Sequence, residues 1–211
     1  MEKFTVSDII SMVENMSDVI IKNEVPFCEL DSAAGDGDFG MSLAKGFKEI
    51  KKQWQELSRD DIGAFLKSCG MVITEHCGGA SGPIWGTAFR SAGKYAKDKT
   101  ELDLAEFAQL MQSAVDGIQK TGGAKLGDKT LLDALIPATE SLKASAAAGE
   151  SLRTAMRKSA NEAIAGAEKT KDIVATKGRA SYLGERSLSY PDAGATALGI
   201  IFTYITDKFG S

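Results

Sequence analysis

Apolar residues return every three or four positions along most of this chain. Val6, Ile9, Ile10, Val13, Met16 and Ile20 make one stripe, and Leu43, Phe47, Ile50, Trp54 and Leu57 a second. Ile62, Phe65, Leu66, Cys69, Val72 and Ile73 make a third, and Leu104, Phe107, Ala108, Met111, Ala114, Val115 and Ile118 a fourth. Leu152, Ala155, Met156, Ser159, Ala163 and Ala167 follow, and Leu198, Ile201, Phe202, Ile205 and Phe209 close the series. Each set falls on one face of a helix and can bury that face. Residues 87–97 and about 131–147 predict two shorter helices, the second kinked or begun by Pro137. Sustained period-two alternation is absent. The pattern therefore predicts about eight helices and essentially no sheet.

Glycines gather in the joints between these stripes, at 35–40, 78–82, 122–127 and 178–184. If consecutive helices run antiparallel, alternate joints lie at the same end. The joints after the first and third helices, before the 131–147 segment and before the last helix would then meet. No Pro-, Gly- or Ser-rich linker divides the 211 residues, so one domain over 1–211 is expected.

Composition narrows the functional classes. Hydrophobic residues at 43% and charged residues at 26% argue against wholesale disorder. The net charge is −4 and no Lys/Arg-rich run exists, which disfavours broad binding to nucleic-acid phosphates. Lys48, Lys51 and Lys52 read as a solvated helix face. Cys28, Cys69 and Cys77 form no CxxC pair, so neither a disulfide framework nor a structural zinc site follows. His76 is the single histidine, and it reads as an ordinary position near a helix end. With no other histidine, neither a Ser-His-Asp triad nor a His-based metal site can be assembled. No signal-type apolar region opens the chain and no stretch reaches about eighteen apolar residues, so no membrane partner is expected and the expected location is cytoplasmic.

The joints hold the candidate chemistry. Asp31, Asp36 and Asp38 follow D-x4-D-x-D among glycines and alanines. Carboxylate oxygens are the ligands of hard cations, and few protein ligands with room for water suit magnesium carrying a phosphate. An EF-hand is excluded, because the twelfth position counted from Asp31 is Ser42 rather than glutamate. The competing reading is a turn in which Asp38 caps a helix beginning near Gly40. In "CGGASGPIWGT", glycine N–H groups, the Ser81 and Thr87 hydroxyls and a helix start after Pro83 would suit an anion; the alternative is a tight helix–helix turn. "TGGAKLGDKTLLD" misses the P-loop pattern by one residue, Asp128, and no strand precedes it. Its Gly-Asp-Lys-Thr turn could bond a nucleotide or the other loops. In the long segment "KGRASYLGERSLSYPDAGAT", Arg179 could clamp phosphate with its planar fork or simply pair with a loop carboxylate.

Taken together, "GDGDFG", "GGASGP", "GDKT" and "KGRASYLGERS…DAGAT" resemble, in order and spacing, the nucleotide-binding L subunit of dihydroxyacetone kinase. The same unit forms the C-terminal domain of single-chain dihydroxyacetone kinases. The resemblance runs nearly end to end. It implies an all-α barrel of about eight antiparallel amphipathic helices, with the nucleotide site in loops at one end. It implies that Asp31, Asp36 and Asp38 hold two magnesium ions bridging to ADP or ATP. Phe39, Gly40, Met41 and Ser42 would lie beside the nucleotide, and Gly79, Ala80 and Ser81 against phosphate. Gly122, Thr130 and Leu131 would line the adenine side, with Arg179, Asp192, Ala193 and Gly194 closing over it.

A glycerone-kinase-type enzyme subunit is thereby implied, active only with a partner. It would transfer the γ-phosphate to dihydroxyacetone, or a related short ketose, held on a separate K subunit. A phosphotransferase-system M subunit could recharge the bound ADP, or ATP could exchange. The family commonly has histidine where this chain has Phe39, and proline where it has Ala193. Neither departure touches an expected metal ligand, so nucleotide binding is expected to survive. They do motivate a second reading, an ADP-sensing adaptor that regulates a transcription factor or another partner.

Overall fold

The computed structural model describes residues 2–209. Among these, each of the six long stripes falls on a helix, α1 (Val6–Lys22), α3 (Phe39–Lys52), α4 (Ile62–His76), α6 (Leu104–Gly122), α8 (Leu152–Lys169) and α9 (Ala193–Lys208), except that Trp54 and Leu57 lie in the turns after α3 and Phe209 just past α9. The two shorter segments are α5 (Ser81–Tyr95) and α7 (Leu132–Ala147). Each helix packs on the next along the chain, and α9 returns to pack on α1. Each turns apolar residues inward, among them Ile20, Phe47, Phe65, Ile118, Leu132 and Ile201. An apolar cavity of about 170 Å3 remains between the helices, lined by side chains including Met16, Trp85, Phe89 and Met156. No helix among the described residues is long and apolar enough to cross a membrane.

Four details refine the expected pattern. A ninth helix, α2 (Glu24–Ser32), lies between the first two stripes. It buries only Phe27, so it has no stripe to read, and Pro26 is tolerated because it lies in the first turn, where N–H groups have no helical acceptor. Sheet is not wholly absent: β1 (Phe4–Thr5) pairs antiparallel with β2 (Glu101–Leu102), setting Phe4 opposite Leu102. The α5 helix starts at Ser81, so Pro83 lies inside its first turn rather than ahead of it. Pro137 does not begin α7 but sits within it.

The interior proline has a structural counterpart. Its missing N–H frees the Asp133 carbonyl of a helical donor. Gly166 of α8 packs against that carbonyl so closely that a Cβ at 166 would overlap the oxygen. The lack of a side chain at 166 lets α8 seat over the altered turn.

The two ends of the helices differ in how they are capped. Thr5 opens α1 and Asp103 opens α6, each with a reciprocal capping box. Asp61 caps α4 and Ser151 caps α8 through their side chains. By contrast α3, α5 and α7 open on Asp38, Ala80 and Leu131 with no bond from the N-cap side chain. These three starts lie in the glycine-rich joints.

Substituting Gly166 by alanine is expected to destabilise the chain by about 1–3 kcal/mol through overpacking at the α7–α8 contact. Urea unfolding of Gly166→Ala beside the parent measures it. Equal midpoints would show that the contact relaxes freely.

Candidate functional site

The acidic joint is built by local backbone bonds. Asp31 lies in the last turn of α2, not in a loop, and projects across the following turn. Its Oδ2 accepts N–H bonds from Gly37 at 2.9 Å and from Phe39 at 3.4 Å. Gly37 has a φ of +75°, a left-handed conformation that suits glycine. This turn brings one oxygen from each of Asp31, Asp36 and Asp38 within 4.8 Å of the others. Burial pushes the Asp31 pKa up, the neighbouring Asp36 charge adds to this, and the N–H bonds from Phe39 and Gly37 oppose it.

Asp38 occupies the N-cap position of α3, but its carboxylate does not cap. Its carbonyl makes the ordinary first helical bond, from the Ser42 N–H at 2.8 Å, while its carboxylate lies with the cluster. Three convergent carboxylates at an uncapped helix start fit a hard divalent cation, which relieves their repulsion and takes oxygen ligands.

The four joints do meet. The Gly78 N–H donates to the Ser42 carbonyl at 3.2 Å, linking the α4–α5 turn to α3. Gly122, at the end of α6, faces Ile84 of α5, and Gly194 faces Leu131. Arg179, from the segment before α9, forms an ion pair with Asp36. The expectation that these four joints share one end is thus met. The starts of α3, α5, α7 and α9 share that end, so their N-terminal partial positive charges gather beside the carboxylates.

Individual residues have specific placements. The Phe39 ring packs against Phe27, with centroids 6.0 Å apart, while its N–H serves Asp31. Met41 is exposed and its N–H contacts the Cys28 sulfur at 3.3 Å; Gly40 is buried between α2 and α3. Gly79 has a left-handed φ, and Ala80 and Ser81 begin α5. Thr87 lies further along α5, bonded to Arg90 at 3.0 Å. The Thr130 hydroxyl accepts the Leu132 N–H at 3.2 Å, and its own N–H donates to Asp133 at 2.8 Å. Ala193 and Gly194 form the first turn of α9. His76 ends α4 beside Glu75, outside the acidic cluster.

Asp192 caps α9, its Oδ2 accepting the Ala195 N–H at 2.8 Å. Burial pushes its pKa up to about 7, reinforced by the charges of Asp133 and Asp31 and opposed by the Ala195 N–H and by Lys129. Asp133, to which the sequence assigned no role, and Lys129, of the Gly-Asp-Lys-Thr turn expected to bond a nucleotide or the other loops, organise the neighbouring turn. The Asp133 carboxylate accepts from Gly127 at 2.6 Å and Thr130 at 2.8 Å. Lys129 is buried, and its ammonium bonds carbonyls of the segment preceding α9. Burial lowers the Lys129 pKa, while the charges of Asp192, Asp133 and Asp172 raise it. A lysine between an aspartate and a threonine is ordinary on a surface, so no local signal marked it as buried.

The fold and the site define a class: an all-helical protein with a carboxylate cluster set among converging helix starts. The chain belongs to the DAK2 domain family, whose model matches residues 33–207. It is 34% identical over 192 residues to the ADP-binding subunit DhaL of the PEP-dependent dihydroxyacetone kinase of Escherichia coli strain K12, covering 91% of each chain. It is also 34% identical over 194 residues to the D-erythrulose kinase of Mycolicibacterium smegmatis, covering 91% of this chain and 33% of that one. The crystal structure of the dihydroxyacetone kinase from C. freundii in complex with AMP-PNP and Mg2+ superposes with a TM-score of 0.76 at 26% identity. That match covers 94% of this chain and 33% of the C. freundii protein, so this chain spans about a third of it.

The raised Asp192 pKa has a defined pH signature. Between the ordinary value of 3.8 and about 7 the folded chain keeps a proton that the unfolded chain has lost. Stability from this group is therefore full at low pH and is lost as pH rises through about 7. Asn at 192 keeps a capping oxygen without titrating. In EDTA, the stability of Asp192→Asn relative to the parent is expected to grow as pH rises from about 4.5 to about 7.5. Urea titrations at both pH values measure this, and a pH-independent difference would refute it.

Proposed function

We propose that this chain is the nucleotide-binding subunit of a kinase for dihydroxyacetone or a related short ketose. The observation that carries the reading is the carboxylate cluster of Asp31, Asp36 and Asp38, set beside the uncapped starts of α3 and α5. An acidic chain can hold a polyphosphate there only through cations, which reverse the local sign. The reading extends to one domain over residues 1–211, with its main helices closed into a barrel. The return of α9 to α1 supports that closure.

Asp31, Asp36 and Asp38 hold two magnesium ions in this proposal. When bound, those ions would neutralise and orient the phosphates of ADP or ATP. The chain's own groups do the rest. The start of α3, at Phe39, Gly40, Met41 and Ser42, offers anionic oxygens its helix dipole rather than free donors, since the Phe39, Met41 and Ser42 N–H groups already serve Asp31, Cys28 and Asp38, and the turn at Gly79, Ala80 and Ser81 lies beside it. Gly122, Thr130 and Leu131 flank the base. Arg179, from the opposite joint, adds a cation, and Asp192, Ala193 and Gly194 complete the rim.

Phosphoryl transfer depends mainly on positioning and charge neutralisation, which suits a site made of turns and helix starts. The acceptor ketose belongs on a separate K subunit, with recharging of ADP by a phosphotransferase-system M subunit, and the assembly works in the cytoplasm. The E. coli relative, described as the ADP-binding subunit of a PEP-dependent kinase, supports this division of labour.

Native mass spectrometry of the purified chain is expected to find co-purifying ADP and magnesium. Asp36→Asn should weaken magnesium-dependent nucleotide binding by more than the roughly 10–100-fold cost of losing a ligand's supporting hydrogen bond. Circular dichroism of this variant should stay that of the parent. Calorimetry showing parent-like MgADP affinity in Asp36→Asn would overturn the metal assignment, and turnover by the chain alone would overturn the partner requirement.

A further inference from the structure

Lys129 is the least exposed charged side chain among the described residues, at 2%, and it sits at a left-handed φ of +61°. Its ammonium donates to the carbonyls of Thr170, Ser187 and Tyr190, each at 2.7 Å, and lies 3.1 Å from that of Ile173. Lysine has three N–H donors, so the three short bonds use them all and Ile173 shares one.

The positions of these carbonyls matter more than their number. Thr170 and Ile173 precede residues 174–186, and Ser187 and Tyr190 follow them. That stretch carries Arg179. One side chain thus ties both stems of this excursion, whose Arg179–Ser187 part is 3-10 helical, to the turn ahead of α7, in the manner of a compact surface loop closed at its base.

Further bonds tighten the same base. The Ala175 N–H donates to the Ser187 hydroxyl at 3.0 Å, and the Ser189 N–H to the Lys171 carbonyl at 2.8 Å. The Thr176 hydroxyl donates to Asp128 at 2.7 Å. Remove the ammonium and inward-facing carbonyls lose their donor in a buried site, which favours opening of the stems. At the far side of the loop Arg179 pairs with Asp36.

We propose that Lys129 is a positioning residue: by pinning both loop stems it sets where Arg179 meets the acidic cluster. It thereby acts on the affinity for a magnesium–nucleotide anion without touching that ligand. The effect on affinity rests on the nucleotide reading of the site; the pinning does not.

The full chain is used for the test, as parent, Lys129→Met, Arg179→Ala and the double variant. Amide hydrogen exchange in 171–190 is expected to speed up at least about tenfold in Lys129→Met, while α3–α6 keep parental protection. MgADP titration calorimetry is expected to show Lys129→Met, Arg179→Ala and the double variant weakened by the same factor, since both side chains act through one contact. A merely structural lysine would lower the melting temperature and leave the two affinity losses multiplicative, and that result overturns the proposal. Parental exchange in the loop overturns it as well. Should Lys129→Met fail to fold, Lys129→Gln, which keeps two N–H donors, enters the same cycle. A parent chain that binds no MgADP overturns the nucleotide reading and the affinity half of this inference, and loop exchange then decides the pinning alone.

Discussion

Three carboxylates within 4.8 Å of one another repel, and a chain that folds them together needs opposing charge from elsewhere. Here it comes from several directions. Backbone N–H groups of Gly37 and Phe39 hold Asp31, and Arg179 crosses from a distant segment to Asp36. The starts of α3, α5, α7 and α9 add their partial positive charge. Each contribution requires a different part of the chain at the same place, so the acidic turn constrains the arrangement of all four joints.

The distribution of helix caps follows from this constraint. At α1, α4, α6 and α8 the first N–H groups are met by Thr5, Asp61, Asp103 and Ser151. Such caps stabilise a helix by about 1 kcal/mol each. At α3, α5 and α7 the N-cap residue forgoes that contribution. Asp38 has the right chemistry to cap and stands in the right position, yet its side chain serves the cluster. Stability given up at a site is a familiar pattern, because groups satisfied internally cannot hold a ligand. Of the four N-cap residues at this end, Asp192 alone bonds its helix through its side chain, and burial keeps its pKa high, so its negative charge is partly suppressed.

Helices with apolar stripes were legible from local pattern because periodic burial and helical geometry share one period. The α2 helix escaped because it buries a single residue, Phe27, and carries proline in its first turn. The start of α5 escaped because Gly-Ala-Ser-Gly-Pro reads as a turn, although proline is compatible with a first helical turn. In the site, the three aspartates were legible as a crowded set of the kind that suits a cation. Lys129 was not, since its burial is created by carbonyls from residues 170–190, some forty to sixty positions away.

By itself the sequence determined the helical class, the position of six stripes and the acidic joint, because spacing and charge are local properties. It also determined the family, since four short motifs in order rarely coincide. Tertiary structure decided what the local chemistry is used for. Asp38 could cap or bind, and the turn held by Gly37 and Asp31 turned it toward the cluster. Phe39 could face a ligand or the core, and Phe27 on the unanticipated α2 drew its ring away. Arg179 and Lys129 are both cations in flexible-looking sequence. One reaches the acidic cluster and the other is enclosed by carbonyls, because only the folded chain brings those oxygens to them.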